Sequence, residues 1–180
     1  MKRFFAPFVI FVLSISSVLA VALTQTPANV VPSASVVYLQ GDHYAIGTIA
    51  AGQPVYYSTA VSNPSPTTPD IGLANAAGTG DSVKVIGVAA GGASAGQPIK
   101  VITRDPALKL GVTNVAGDVI YLGITAGALT STYADLVAGN YVCVLAVGTA
   151  SGTVNFGASQ VPGISSPSAW TGVIRADVPK

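Results

Sequence analysis

AAGQPVYYSTA, residues 50–60, returns in diluted form as SAGQPIKVITR at residues 94–104. In both, Ala-Gly supplies a tight turn where φ can be positive, and a Gln follows. Pro then takes the first position of a strand, where the donor it lacks is not yet needed by the ladder. A β-branched residue begins the pairing. AGDVIYLG at 116–123 and AGNYVCVL at 138–145 repeat the device without Pro. One strand-opening phrase used four times, with no longer consensus shared between the copies, predicts repeated hairpins inside one domain rather than a solenoid.

Working outward, short strand runs lie between turn residues along most of the chain. They are SVVYLQ at 35–40, HYAIGTI at 43–49, PVYYSTA at 54–60, SVKVIGVAA at 82–90, PIKVITR at 98–104 and KLGVT at 109–113. DVIYLGI at 118–124, ALTST at 128–132, NYVCVLAVGT at 140–149 and TVNFGAS at 153–159 continue the series. Spacing near ten residues with Gly punctuation is the pattern of a sandwich or barrel. VCVLAV, apolar on both faces, predicts a strand covered on both sides or one at a subunit contact. SNPSPTTPD at 62–70 has Pro at every second or third position and reads as a stiff, exposed spacer loop.

Composition agrees. The 180 residues suffice for one domain with a real core. Only 8% are charged and there is no Glu, so Ser, Thr, Asn, Gly and Ala must cover the surface, or neighbouring subunits must. The net charge is +1 and no basic run follows Lys2-Arg3, so the footprint of a nucleic-acid binder is missing. Cys143, alone in an apolar run, reads as a small buried hydrophobe.

MKRFFAPFVIFVLSISSVLAVAL opens with two positive charges, continues apolar from Phe4 and ends in Ala20-Val21-Ala22. Read locally this is a secretory signal peptide with an A-x-A cleavage site. The stretch Phe4 to Leu23 is also long enough, at about 1.5 Å per residue, to span a bilayer core. Three fates therefore fit it: removal, anchoring in lipid, or burial against other subunits. At the other terminus, QVPGISSPSAWTGVIRADVPK is too Pro-rich to fold alone, yet it holds the only Trp. Trp170 is expected to anchor this tail on its own domain or on a neighbour, with Ile174 beside it.

Chemistry-bearing groups are scarce. With one His, one Cys and no Glu, neither an acid/base pair nor a metal cluster can be assembled from spacing. Asp42-His43 points its two side chains to opposite sides of a strand-like run, so His43 is expected at the surface or at a cap. Asp70, Asp81, Asp105, Asp118 and Asp135 adjoin Gly, Pro or loops, where Asp serves turns. AGTGDS at 77–82 lacks the Lys of a phosphate-binding loop, and Asn63 precedes Pro64, which disqualifies the one glycosylation-like triplet. No catalytic residue, metal site or cofactor is expected.

The runs AAGQPVYYSTA, SVKVIGVAAGGASAGQPIKVIT, LGVTNVAGDVIYLGITAGALTS and LVAGNYVCVLAVGTASGTVNFG resemble the small β-rich structural modules of bacterial viruses. Such modules occur in capsid decoration or cement proteins and in head or tail fibres. The resemblance spans about residues 44–158 and implies a virion surface protein that binds coat subunits and catalyses nothing. The apolar N-terminus departs from that pattern. A virus with an internal membrane, or an arm threaded into a coat lattice, would accommodate it.

The reading is an all-β fold, a single antiparallel β-sandwich or barrel over 35–159. A hydrophobic segment at 1–23 and an extended linker at 24–34 precede it, and a Pro-rich tail at 160–180 follows. The function expected is that of a non-enzymatic virion structural protein that decorates or cements the capsid, or a fibre. Its partners are viral coat subunits and itself, a trimer being the default oligomer, with membrane contact through residues 4–23 and no nucleic acid. Phe4, Phe5, Phe8, Phe11, Trp170 and Ile174 are the candidate interface or anchor residues. The location is the virion surface. The alternative is an exported bacterial surface or filament protein, secreted or cell-surface, with its signal peptide cleaved.

Overall fold

The computed structural model describes residues 22–59, 70–133, 136 and 139–157. Among these residues the twelve strands in chain order are β1 (Val30–Val31), β2 (Val37–Tyr38), β3 (His43–Tyr44), β4 (Pro54–Ser58), β5 (Asp70–Leu73) and β6 (Gly87–Ala89). Then come β7 (Pro98–Ile99), β8 (Val101–Leu110), β9 (Val119–Leu122), β10 (Leu129–Thr130), β11 (Val144–Ala150) and β12 (Thr153–Phe156). Two short 3-10 turns, Pro27–Asn29 and Gly80–Val83, interrupt them, Tyr133 is also 3-10, and no α-helix occurs among the described residues. The all-β expectation holds.

One antiparallel sheet dominates, in the order β10-β9-β11-β12-β8-β6-β4-β5, and it curls into a half-barrel. Its long member, β8, serves two halves. Residues Val101 and Ile102 pair with β6, whereas Asp105, Leu108 and Lys109 pair with β12. The sequence suggested two strands here, split at Asp105-Pro106. The chain instead runs through, because the register against β12 slips between Asp105 and Leu108, and a bulge tolerates a proline that cannot donate to a ladder.

In its first three copies the turn phrase behaves as read, and its polar residue acquires a role; in the fourth the strand begins only at Val144, four residues after Asn140. Gly52, Gly96, Gly117 and Gly139 all take positive φ. In three of the four turns the residue after Gly closes a double bond with the residue three before it. Gln53 donates its amide to the Ala50 carbonyl at 3.3 Å and accepts the Ala50 amide on Oε1 at 2.8 Å. Gln97 does the same to Ser94, and Asp118 to Val115 through Oδ2. Glycine supplies the turn's left-handed residue, and the following carboxamide or carboxylate satisfies an amide that the turn leaves free. A fifth copy, Thr125-Ala126-Gly127-Ala128, has the positive φ without the side-chain bond.

Burial alternates along the strands and separates two cores. Val88, Ile102 and Tyr56 face a large core with Leu108, Leu110, Ile120, Leu122, Leu129, Val154 and Phe156. The adjacent residues Val55, Ala89 and Val101 face the other way, against Ala45, Ile49, Ile71, Ala93 and Ile99. The β4, β6 and β8 section is thus covered on both sides, the second cover being the small β3-β7 pair and its flanking loops. VCVLAV is not that doubly covered strand. In β11 a register slip between Val144 and Ala146 lets neighbouring Leu145 and Ala146 both enter the large core, leaving Val144 and Val147 half-exposed.

Two further expectations shift. The run at 82–90 is strand only at Gly87–Ala89, because Gly80–Val83 forms a 3-10 turn closed by the Lys84 amide on the Asp81 carbonyl. Asp70, assigned to the loop, begins β5 and lies buried opposite Ser58.

Candidate interaction surfaces

Residues 24–34, expected as a linker, are extended but tied to the domain along their length. Leu23 donates its amide to the Leu129 carbonyl at 2.8 Å, covering the outer edge of β10. Gln25 Nε2 reaches the Gly52 carbonyl at 2.8 Å, and the Thr26 amide reaches the Gly111 carbonyl at 2.7 Å. β1 then pairs with Lys109 and Leu110. Ser33 donates its amide to Asp105 Oδ2 at 2.7 Å and its hydroxyl to Oδ1, and β2 pairs with Arg104 and Ile102. The segment is a strap from β10 to β8. It leaves Val31 and Val37 about half-exposed on its outer side.

Both extensions depart from one end of the β9–β12 half. The Leu122 amide bonds to the Cys143 carbonyl, the Gly157 amide to the Leu145 carbonyl, and Leu122 stands opposite Leu129, which holds Leu23. These rungs lie at the end of β9 and β12 and the start of β11. Along the curl, Leu23 and β12 are about four strand spacings apart, on the order of 19 Å. At this end Ala22 joins Gly123, Ile124, Thr125, Ala128, Leu129 and Thr130 around a shallow groove, and Ile124 is 39% exposed. No described residue between Val119 and Gly157 is charged. On the outer face, one residue back from Leu122, Tyr121 meets Tyr133 edge-on at 6.2 Å.

Phe4, Phe5, Phe8, Phe11, Trp170 and Ile174 lie outside the described residues, as does 62–69 of the Pro-rich loop. His43 is placed differently from expectation: it is only 5% exposed, with Nε2 3.0 Å from the Gln40 carbonyl oxygen and its ring 5.7 Å from that of Tyr57. The cause is its position on β3, whose side chains at this point face the small core layer. Asp118 serves a local backbone amide in its turn, as expected, whereas Asp105, also expected at a turn, lies buried inside β8, where it accepts from Ala107 and from Ser33; Asp81 pairs with Lys84 at 2.9 Å on the surface. Cys143 is half-buried, and its Sγ lies 3.4 Å from the Val83 carbonyl oxygen. Burial pushes this thiol's pKa up, which suppresses the reactive thiolate.

Among the described residues no group of three His, Cys, Asp or Glu could hold a metal, and no helix is long and apolar enough to cross a membrane. Sequence reasoning missed the Ser33–Asp105 bond and the exposure of Ile124. A serine in a Pro-flanked stretch carries no signal of a partner 72 positions away. Comparison with protein-family models, with curated proteins and with solved structures finds no match.

Proposed function

We propose that this chain is a non-enzymatic virion structural protein, decorating or cementing a capsid or forming part of a fibre through subunit contacts. The observation that carries the reading is the low charge of the β9–β12 half of the domain, where Asp135 is the one charged residue in the sequence from Val119 to Gly157. A free soluble surface is ordinarily about a quarter to a third charged, whereas a surface covered by neighbours needs no such charge. Half-exposed Val31 and Val37 on the strap, and Val115 at 60% exposure, add apolar contacts suited to coat subunits or to further copies of the chain. The resemblance of residues 44–158 to virion modules points the same way. Its action is mechanical: a domain bound across coat subunits stabilises the assembled shell by mass action.

Peptide mapping of purified particles from the cells that produce this chain tests the proposal. The expected result is the protein at a constant ratio to the coat subunit, and in solution a mass three times that of the chain. Its absence from particles, with recovery in the cell envelope or medium, selects the exported surface or filament protein instead. One observation favours that second reading. Leu23, the first of the described residues to make a backbone bond to the domain, directly follows Ala20-Val21-Ala22. An intact mass beginning at Leu23 would support it.

A further inference from the structure

We propose that the end of the domain formed by the β9–β10 turn, the start of β11 and the end of β12 is seated on a lipid bilayer. This deepens the reading of residues 4–23 as a membrane contact, and does not depend on the capsid assignment. Leu23 is already bonded to Leu129, so the apolar segment leaves the domain with no linker between them. Phe4 to Val21 carries no charge and, as a helix, would rise about 27 Å, close to the roughly 30 Å of a bilayer's hydrocarbon core. Whatever surface receives that segment therefore meets the groove around Ala22 and Ile124 at once.

The chemistry of this end suits lipid. Ile124 projects from the β9–β10 turn, and the described residues from Val119 to Gly157 bring no charge to the contact. Tyr121, on the strand leading into that turn, meets the exposed Tyr133 edge-on, and tyrosine is a residue type that favours the headgroup layer. The C-terminal extension leaves from the same end after Gly157. Residues 158–174 are also uncharged and include Trp170, the other interfacial aromatic type. Two extensions with long uncharged stretches, 4–21 and 158–174, adjoin one end of the sheet and orient the molecule. The opposite end, with Val115 and Asp118, then points away from the membrane.

Flotation of the full-length protein with phosphatidylcholine–phosphatidylglycerol vesicles reads attachment, and a site-specific fluorophore reads orientation. In a Cys143→Ser background, Ile124→Cys and Val115→Cys each receive an environment-sensitive dye. The expected result is co-flotation, with the dye at 124 blue-shifted and quenched by headgroup-level nitroxide lipid while the dye at 115 responds only to an aqueous quencher. Co-flotation with 124 as open to the aqueous quencher as 115 overturns the seating while leaving the anchor intact. Failure to float overturns both. A chain beginning at Leu23 should lose flotation at least tenfold, and its undiminished flotation would overturn the role of residues 4–21.

Discussion

Asp105 binds Ser33 across 72 residues of sequence, taking the backbone amide at 2.7 Å and the hydroxyl as well, at the point where β8 changes partners. The same side chain accepts the Ala107 amide at 3.0 Å, so one fully buried residue bridges the strap and the bulge around Pro106. Asp105→Ala leaves these donors unpaired and should cost about 2–4 kcal/mol. Ser33→Ala removes only the hydroxyl and should cost about 1 kcal/mol. Urea unfolding midpoints at unchanged m-value check the ordering. Equal losses would mean that the strap is held elsewhere.

Two glycines of the same turn phrase should respond differently to alanine. Gly96 has φ +76°, and a methyl group added there would have nothing within 4 Å, so Gly96→Ala meets only backbone strain of about 1–2 kcal/mol. Gly52 has φ +83°, and a methyl there would lie 2.9 Å from Val30 Cγ2 and 3.1 Å from the Leu110 carbonyl oxygen. Gly52→Ala should therefore lose clearly more stability, because the strap must shift as well. Thermal melts of the two variants give the comparison.

Truncation separates the apolar segment from the strap. A chain beginning at Leu23 keeps every described bond of the strap and should retain cooperative unfolding. A chain beginning at Leu39 loses β1, β2 and the Ser33 bond, leaving buried Asp105 short of partners and the β8 edge open. It should aggregate on expression or melt at least about 10 °C lower. Circular dichroism melts and size-exclusion profiles of the two chains decide this.

The legible part of the fold was whatever local chemistry dictates. Ala-Gly before a polar residue announces a left-handed turn because a side-chain acceptor must close it, and Gln53, Gln97 and Asp118 do so. Gly127 gave no such signal, since Ala128 cannot make that bond. β5 was hidden because Asp70–Leu73 is short, abuts the Pro-rich loop and contains Gly72, which is required where a Cβ would strike the Tyr56 ring at 2.6 Å. Continuity of β8 through Pro106 depends on a bulge against β12, more than 40 residues on, which no local window contains. For the interaction surfaces, the sequence pointed to the two extensions, whereas their shared departure from one end of the sheet is a matter of topology alone.

Cys143 offers a pH readout of the β9–β12 half. Burial raises its pKa in the folded state, so the native protein holds the thiol proton at pH values where the unfolded chain releases it. Stability from this group is present in full below the ordinary thiol pKa, and it declines as pH rises from there through the folded value. Unfolding midpoints should fall over that alkaline window in the parent protein, and the fall should be smaller in Cys143→Ala. Alkylation by iodoacetamide at about pH 8.5, near the ordinary thiol pKa, should likewise be slow in the folded chain and at least tenfold faster in denaturant. Equal rates in the two states would show that the thiol is solvated, and that the start of β11 is open where the structure closes it against Val83.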